Sequence, residues 1–360
     1  MSQKLAGAFG RDRYVDGMNA ILALLLLAVP LPQGEVEVRT GSSPQIARGT
    51  DGVVRMVFGH KDTIFAVTSG DNGRTFGPAV LVGVVTGMHL GNTRGPTIAS
   101  SRRRSVVLAA DVKGRLTTFQ LDHLTARWER DERALNDVEG SAPEGLATIA
   151  ADAADKFYAV WLDVRQGRQN NIYFAQLPAG GQKVAPNRAL YVSPDGHVCE
   201  CCRPSIAVSG RNVAIMFRNW LGGARDMYLM RSADGGATFS SATRLGRGTW
   251  RLDACPMDGG SLRITARGDI VSVWRRELTV YGATGSGGES PIAEGRSAMM
   301  DVRGADQIIV WQDRSVIKLR RPGRDDVVVA DGRLPQVAAL NDGSVLVAWE
   351  RGGSVYYRRY

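Results

Sequence analysis

Residues 157–163 read FYAVWLD, an unbroken run of apolar side chains closed by an acid. The phrase returns along the chain as VVRMVFG (53–59), SVVLAAD (105–111, the most degenerate copy), VAIMFRN (213–219), IVSVWRR (270–276), IIVWQD (308–313) and SVLVAWE (344–350). Short runs rich in Val, Ile and aromatic residues, bounded by Gly and polar clusters, are strands. Shortly before most of them stands a second, shorter strand, often opened by proline: PQIA at 44, PTIA at 96, PSIA at 204 and PQVA at 335. Each unit then reads strand, turn, strand, turn, strand, turn, strand.

Four-stranded units that recur along a chain and stack radially make a β-propeller, so the fold class is all-β. The 43 glycines supply its turns, and a hydrophobic content of 44% is ample for a core. Seven phrases give seven blades. Six is the alternative, from extrapolating the spacing of the two turn sequences described next. The last unit has only three strands and ends at SVYYRRY, and EVEVRT (35–40) is placed to supply its missing outer strand and close the ring. Residues 35–360 thus read as a single propeller domain.

One octapeptide pattern occurs twice, as SGDNGRTF (Ser69–Phe76) and SADGGATF (Ser232–Phe239). Ser69, Asp71, Gly73, Thr75 and Phe76 match Ser232, Asp234, Gly236, Thr238 and Phe239. The physics is that of a tight turn: Ser and Asp side chains bond local amides, Gly takes the positive-φ position, and the Phe is buried. These strings resemble the Asp-boxes, or BNR repeats, of the sialidase superfamily. VWLDVRQGRQNNIYFAQ (160–176) and FRNWLGGARDMYLMRSADGGATF (217–239) resemble its blades. The resemblance spans residues 40–360. It implies a propeller with a structural box on the turn between third and fourth strands.

For activity, the resemblance asks for three arginines on a substrate carboxylate, a Tyr nucleophile activated by Glu, and an Asp acid. Its Arg-Ile-Pro signature is absent; the corresponding stretch is SSPQIARG (42–49). Arg94, Arg165, Arg225, Arg275 and Arg314 follow strand ends, where ion pairs between blades with Asp163, Asp226 or Asp313 account for them. Glu139, Glu144 and Asp253 are carboxylates placed to face the funnel, with no tyrosine at a recognisable spacing. Arg203 is the best candidate for an anion ligand there, with Asp253 beside it as a second ligand-binding residue. A binding protein without turnover is the favoured reading, and a sialidase-like glycoside hydrolase the alternative.

Three of the four cysteines fall in HVCECCRP (197–204), and the fourth, Cys255, lies in DACPMDGG. Each segment leads into the first strand of a blade, and the two blades are neighbours. Cys199, Cys201, Cys202 and Cys255 are therefore expected at one rim of the central funnel. Three chemistries fit. Cys255 could pair with Cys201 or Cys202 as a staple, leaving a strained pair within the cluster. The four thiolates, with His197 and Met257 nearby, could hold a thiophilic metal, copper ahead of zinc. Or the cluster could be a redox-active disulfide. The Cys-x-Cys-Cys…Cys-Pro motif resembles one in exported bacterial members of the same superfamily.

Residues 1–34 differ from the rest. AILALLLLAVPL (20–31) follows Lys4, Arg11 and Arg13 and reads as a secretory signal peptide, or as an N-terminal hydrophobic segment. The mature chain is then expected in the periplasm or outside the cell, not transmembrane, where disulfides persist. The net charge of +9 is spread along the chain without interleaved aromatics, so a nucleic-acid partner is not indicated. The partner class that fits is a protein or a glycan. The glycine-rich ATGSGGES (283–290) joins two strands and indicates no nucleotide cofactor. His60, His89 and His123 are isolated, and no Ser/His/Asp set is recognisable in the sequence.

Overall fold

The computed structural model describes residues 34–360, apart from Asn92, Arg168 and residues 178–185. The signal-peptide reading therefore lies outside the described residues, except for Gly34. No helix among them is long and apolar enough to cross a membrane.

The described residues form seven four-stranded antiparallel sheets. Six are sequential: residues 42–84, 97–130, 147–191, 205–244, 261–294 and 296–331, blades one to six. Blade seven takes three strands from residues 333–359 and its outer strand, Val36–Thr40, from the other end of the chain. The closing ladder pairs Val36 with Tyr357 and Thr40 with Ser354. The ring has seven blades, and the six-blade alternative is discarded.

The second strand of each blade explains why the sequence phrase is so apolar. It is flanked by strands on both edges and covered by neighbouring blades on both faces. Phe157–Asp163 is accordingly buried at every position. Seven apolar clusters fill the seven gaps between consecutive blades. In the cluster between blades two and three, Val106 and Leu108 meet Phe157, Ala159 and Trp161. In the closing one, Leu346, Val355 and Tyr357 of blade seven pack on Met56 and Phe58 of blade one.

Both octapeptide turns join the third and fourth strands of their blades, one and four. Ser69 Oγ donates to Asp71 Oδ1 at 2.7 Å and accepts the Gly73 amide at 2.8 Å, while Thr75 Oγ1 donates to Asp71 Oδ2 at 2.6 Å. Burial opposes ionisation of Asp71, but its hydrogen bonds from Thr75, Ser69 and the Arg74 amide outweigh it and lower the carboxyl to about 2. Ser232, Asp234 and Thr238 repeat the pattern. The trailing phenylalanines lock each turn onto the preceding blade. Phe76 meets Tyr357 edge-on at 4.9 Å, and Phe239 meets Phe174 at 5.2 Å.

Candidate functional site

The segment 199–204 leads into Ser205–Ser209, the first strand of blade four, and 255–260 leads into Ser261–Ile264, the first strand of blade five. The two segments touch. A Cβ on Gly259 would lie 1.9 Å from the Arg203 carbonyl oxygen, so only glycine fits there. The expected meeting of the two approach loops is thus realised at the backbone level.

At the side-chain level the cysteines divide. Cys199, Cys201 and Cys202 are buried, and their sulfurs lie within 4.8 Å of one another. Cys199 Sγ is 3.0 Å from Cys202 Sγ and 3.7 Å from Cys201 Sγ. The Met257 side chain packs against the three. Its backbone is held at φ 52°, a costly conformation for a non-glycine residue. Cys255 is exposed and stands outside this trio, and none of the four cysteines is in a disulfide. The staple expected from Cys255 to Cys201 or Cys202 is therefore not formed. Register brought the loops together, but Cys255 sits in the exposed part of its loop, before the chain turns inward at Pro256.

The trio is surrounded by guanidinium groups. Arg225 Nη1 donates to Cys199 Sγ at 3.2 Å, and Arg225 Nε donates to the Leu252 carbonyl at 3.1 Å. Arg218, 1% exposed, bonds no carboxylate among the described residues; it donates to the carbonyls of Asp258, Arg225 and Arg275. Its own carbonyl accepts the Cys199 amide at 3.0 Å. Arg218 and Arg275 both lie 5.1 Å from the Trp250 ring centre. Burial by itself would push the Cys199 thiol up. Its contacts with Cys201 and Cys202 and the Arg218 charge reverse this and hold Cys199 well below the ordinary thiol range. Cys202 is pushed up to about 12, by burial and then by Cys199, and Cys201 is raised chiefly by its contact with Cys199. Of the three, Cys199 is the sulfur favoured as thiolate.

His197 does not converge with the sulfurs. Its Nδ1 lies 2.9 Å from Glu200 Oε1, and its ring stacks on Trp220 at 5.8 Å. Glu200 Oε2 is 3.3 Å from Arg225 Nη1, so Glu200 bridges His197 to the arginine that touches Cys199. Asp253 is exposed and lines neither cavity described below.

The first strands of all seven blades line a central channel whose charged residues are Arg48, Arg203, Arg263 and Asp301. At its mouth lies a recess open to solvent and lined in part by Arg94, Arg203 and Asp258. Among the described residues no tyrosine lines either space, and Arg94 is tied to Glu144 at 2.9 Å. The ion pairs expected between blades for Asp163, Asp226 and Asp313 are local instead, to Arg165, Arg244 and Lys318. Arg165 also reaches Asp137 in the loop before blade three.

One arrangement escaped the sequence. His123 is not isolated: its Nε2 is 2.9 Å from Ser105 Oγ and its Nδ1 is 3.1 Å from Asp51 Oδ2. The three come from two blades, far apart in sequence, with no motif to announce them. The order of atoms is that of a hydrolase triad, but Ser105 is fully buried and no carbonyl can approach it. Asp51 is also held by Arg55 at 2.8 Å. The set ties blades one and two together.

No protein-family model matches the sequence, and no curated protein matches it. Solved structures match its shape. The BP39L lectin from Burkholderia pseudomallei aligns with a TM-score of 0.58 at 9% identity, covering 88% of this chain and 98% of the lectin. A PL25 polysaccharide lyase, an ulvan lyase bound to -[GlcA(1-4)Rha3S]-, aligns at 0.55 and 11% identity, covering 91% and 95%. A catalytically inactive virginiamycin B lyase from Staphylococcus aureus, with quinupristin, aligns at 0.54 and 10%, covering 90% and 98%. At these identities the likeness is one of fold.

Proposed function

We propose that this chain is an exported, periplasmic or secreted binding protein that holds one thiophilic metal ion, Cu(I), on Cys199, Cys201 and Cys202. The observation that carries the reading is the buried convergence of three sulfurs beside arginines. Soft thiolates select Cu(I) and zinc among common metals. Structural zinc takes four protein ligands, and a three-sulfur set serves Cu(I) better. Charge favours the same choice. Three thiolates on Cu(I) carry a net charge of −2, which Arg218 and Arg225 offset in part, Arg225 being shared with Glu200. Loading displaces whatever thiol protons the cluster carries. Met257 covers the sulfurs and offers a thioether, and Cys255, in the same loop, is the exposed thiol nearest in sequence. The redox alternative needs a thiol partner to reach the sulfurs, and burial of all three works against it. A protein or glycan is the further partner, and a lectin of similar fold supports a binding role.

The test is titration of the reduced protein with Cu(I) against a chromophoric Cu(I) chelator. One equivalent is expected to be withheld from the chelator. Cys199→Ser is expected to lose it, with apparent affinity falling at least 100-fold, while zinc competes weakly. Full transfer of copper to the chelator by the unaltered protein contradicts the reading.

A further inference from the structure

A second site lies at the channel mouth, in a recess that Arg203 lines and that none of the three cysteines lines. Arg203 lines both the mouth cavity and the channel. Among the described residues it has no carboxylate and no hydrogen-bond partner. The nearest acid on the cavity wall, Asp258, is committed elsewhere. It accepts the Ser297 amide at 2.8 Å and faces Arg275 Nε at 3.7 Å. The channel carries Arg48, Arg203 and Arg263 against Asp301 alone, and Asp301 is paired with Arg263 at 3.0 Å. An unpaired cation in a recess of this sign attracts an anion.

The walls are shaped for a polar ligand. Gln336 is only 8% exposed and its side chain has no partner among the described residues, yet it lines both spaces. Gln45 occupies the equivalent place in blade one, after Pro44 as Gln336 follows Pro335. Both sit just past a bulge in their first strands, and blade six has the same bulge. Ser43, Ser297 and Leu334, the bulged residues, have φ of 56°, 53° and 53°, and Thr93 on the same wall has 68°. Bulges re-aim side chains, and non-glycine residues in this region store strain that ordinary strands avoid.

We propose that the mouth cavity binds a small organic carboxylate, with Arg203 holding the carboxylate and Gln45 and Gln336 bonding its hydroxyl or carbonyl groups. Guanidinium and carboxylate match as two parallel hydrogen bonds. This site is separate from the thiol cluster and needs no metal.

Isothermal titration calorimetry on the whole protein tests it, with D-glucuronate and lactate as carboxylate probes, D-glucose as the neutral control and inorganic phosphate as the other anion. At least one carboxylate is expected to bind saturably at one site, and glucose not at all. Arg203→Met weakens that binding at least tenfold, and Gln336→Leu weakens it severalfold. Arg203 makes no hydrogen bond or ion pair among the described residues, so Arg203→Met, which keeps an apolar stem, keeps or raises Tm; a lowered Tm would instead mark a structural role and overturn the assignment. Failure of both carboxylates to bind, binding of glucose as tight as glucuronate, or binding of phosphate alone each overturns it.

Discussion

Arg218→Met is expected to cost about 3–5 kcal/mol of stability, the range for stripping one partner from a buried charged network. The arginine is sealed inside the protein and its donors satisfy three backbone carbonyls, those of Asp258, Arg225 and Arg275. Methionine of similar length fills the space but leaves those oxygens without donors, at roughly 1–3 kcal/mol each before relaxation. A second effect separates this from ordinary core damage. The Arg218 charge helps hold Cys199 ionised, so thiolate absorbance in the variant should appear only at higher pH than in the parent. Urea melts and a pH titration at fixed denaturant check both. A loss under about 1 kcal/mol with an unchanged thiolate titration would show that Arg218 neither supports the loops nor balances the sulfur.

The second large effect is expected at the ring closure. A chain beginning at Ser42 lacks the outer strand of blade seven and leaves Ser354–Arg359 as an open edge. Compared with a chain beginning at Gly34, it loses the ladder from Val36 to Thr40, the Gly41 amide bond to the Gly353 carbonyl at 2.8 Å and the packing of Val38. It also loses the Glu35–Arg351 pair and the Arg39 guanidinium 4.1 Å over Phe65. Ladder bonds at about 1 kcal/mol each and one half-buried valine sum to a loss on the order of 5 kcal/mol. The exposed edge should also promote association. Thermal melts and light scattering would read both, and an equally stable monomer would contradict closure by this strand.

The fold was readable because each second strand is sandwiched on both faces and must be apolar throughout. Even the degenerate SVVLAAD is the second strand of blade two, Arg104–Ala110. The six-blade extrapolation misled because the blades are unequal. First strands begin at residues 42, 97, 147, 205 and 261, then at 296 and 333, so the later blades are much shorter. Both octapeptides lie among the longer ones. Proline-opened strands located the approach loops, hence the meeting of 199–204 with 255–260. Repeat register fixes where a backbone goes, not where a side chain in an irregular loop points, so Cys255 could not be separated from the trio. In the sequence Arg218 is one polar residue at the end of a strand phrase, and its role depends on carbonyls from three other segments. Ser105, His123 and Asp51 likewise meet only in three dimensions.

On the proposal above, three cysteine sulfurs, and not four, hold one soft metal ion. X-ray absorption at the copper edge, on protein loaded with one equivalent of Cu(I), tests it most directly. Three sulfur neighbours are predicted in the unaltered protein and the same three after Cys255→Ser. A spectrum of nitrogen or oxygen neighbours, or a sulfur count that falls when Cys255 is replaced, would contradict it.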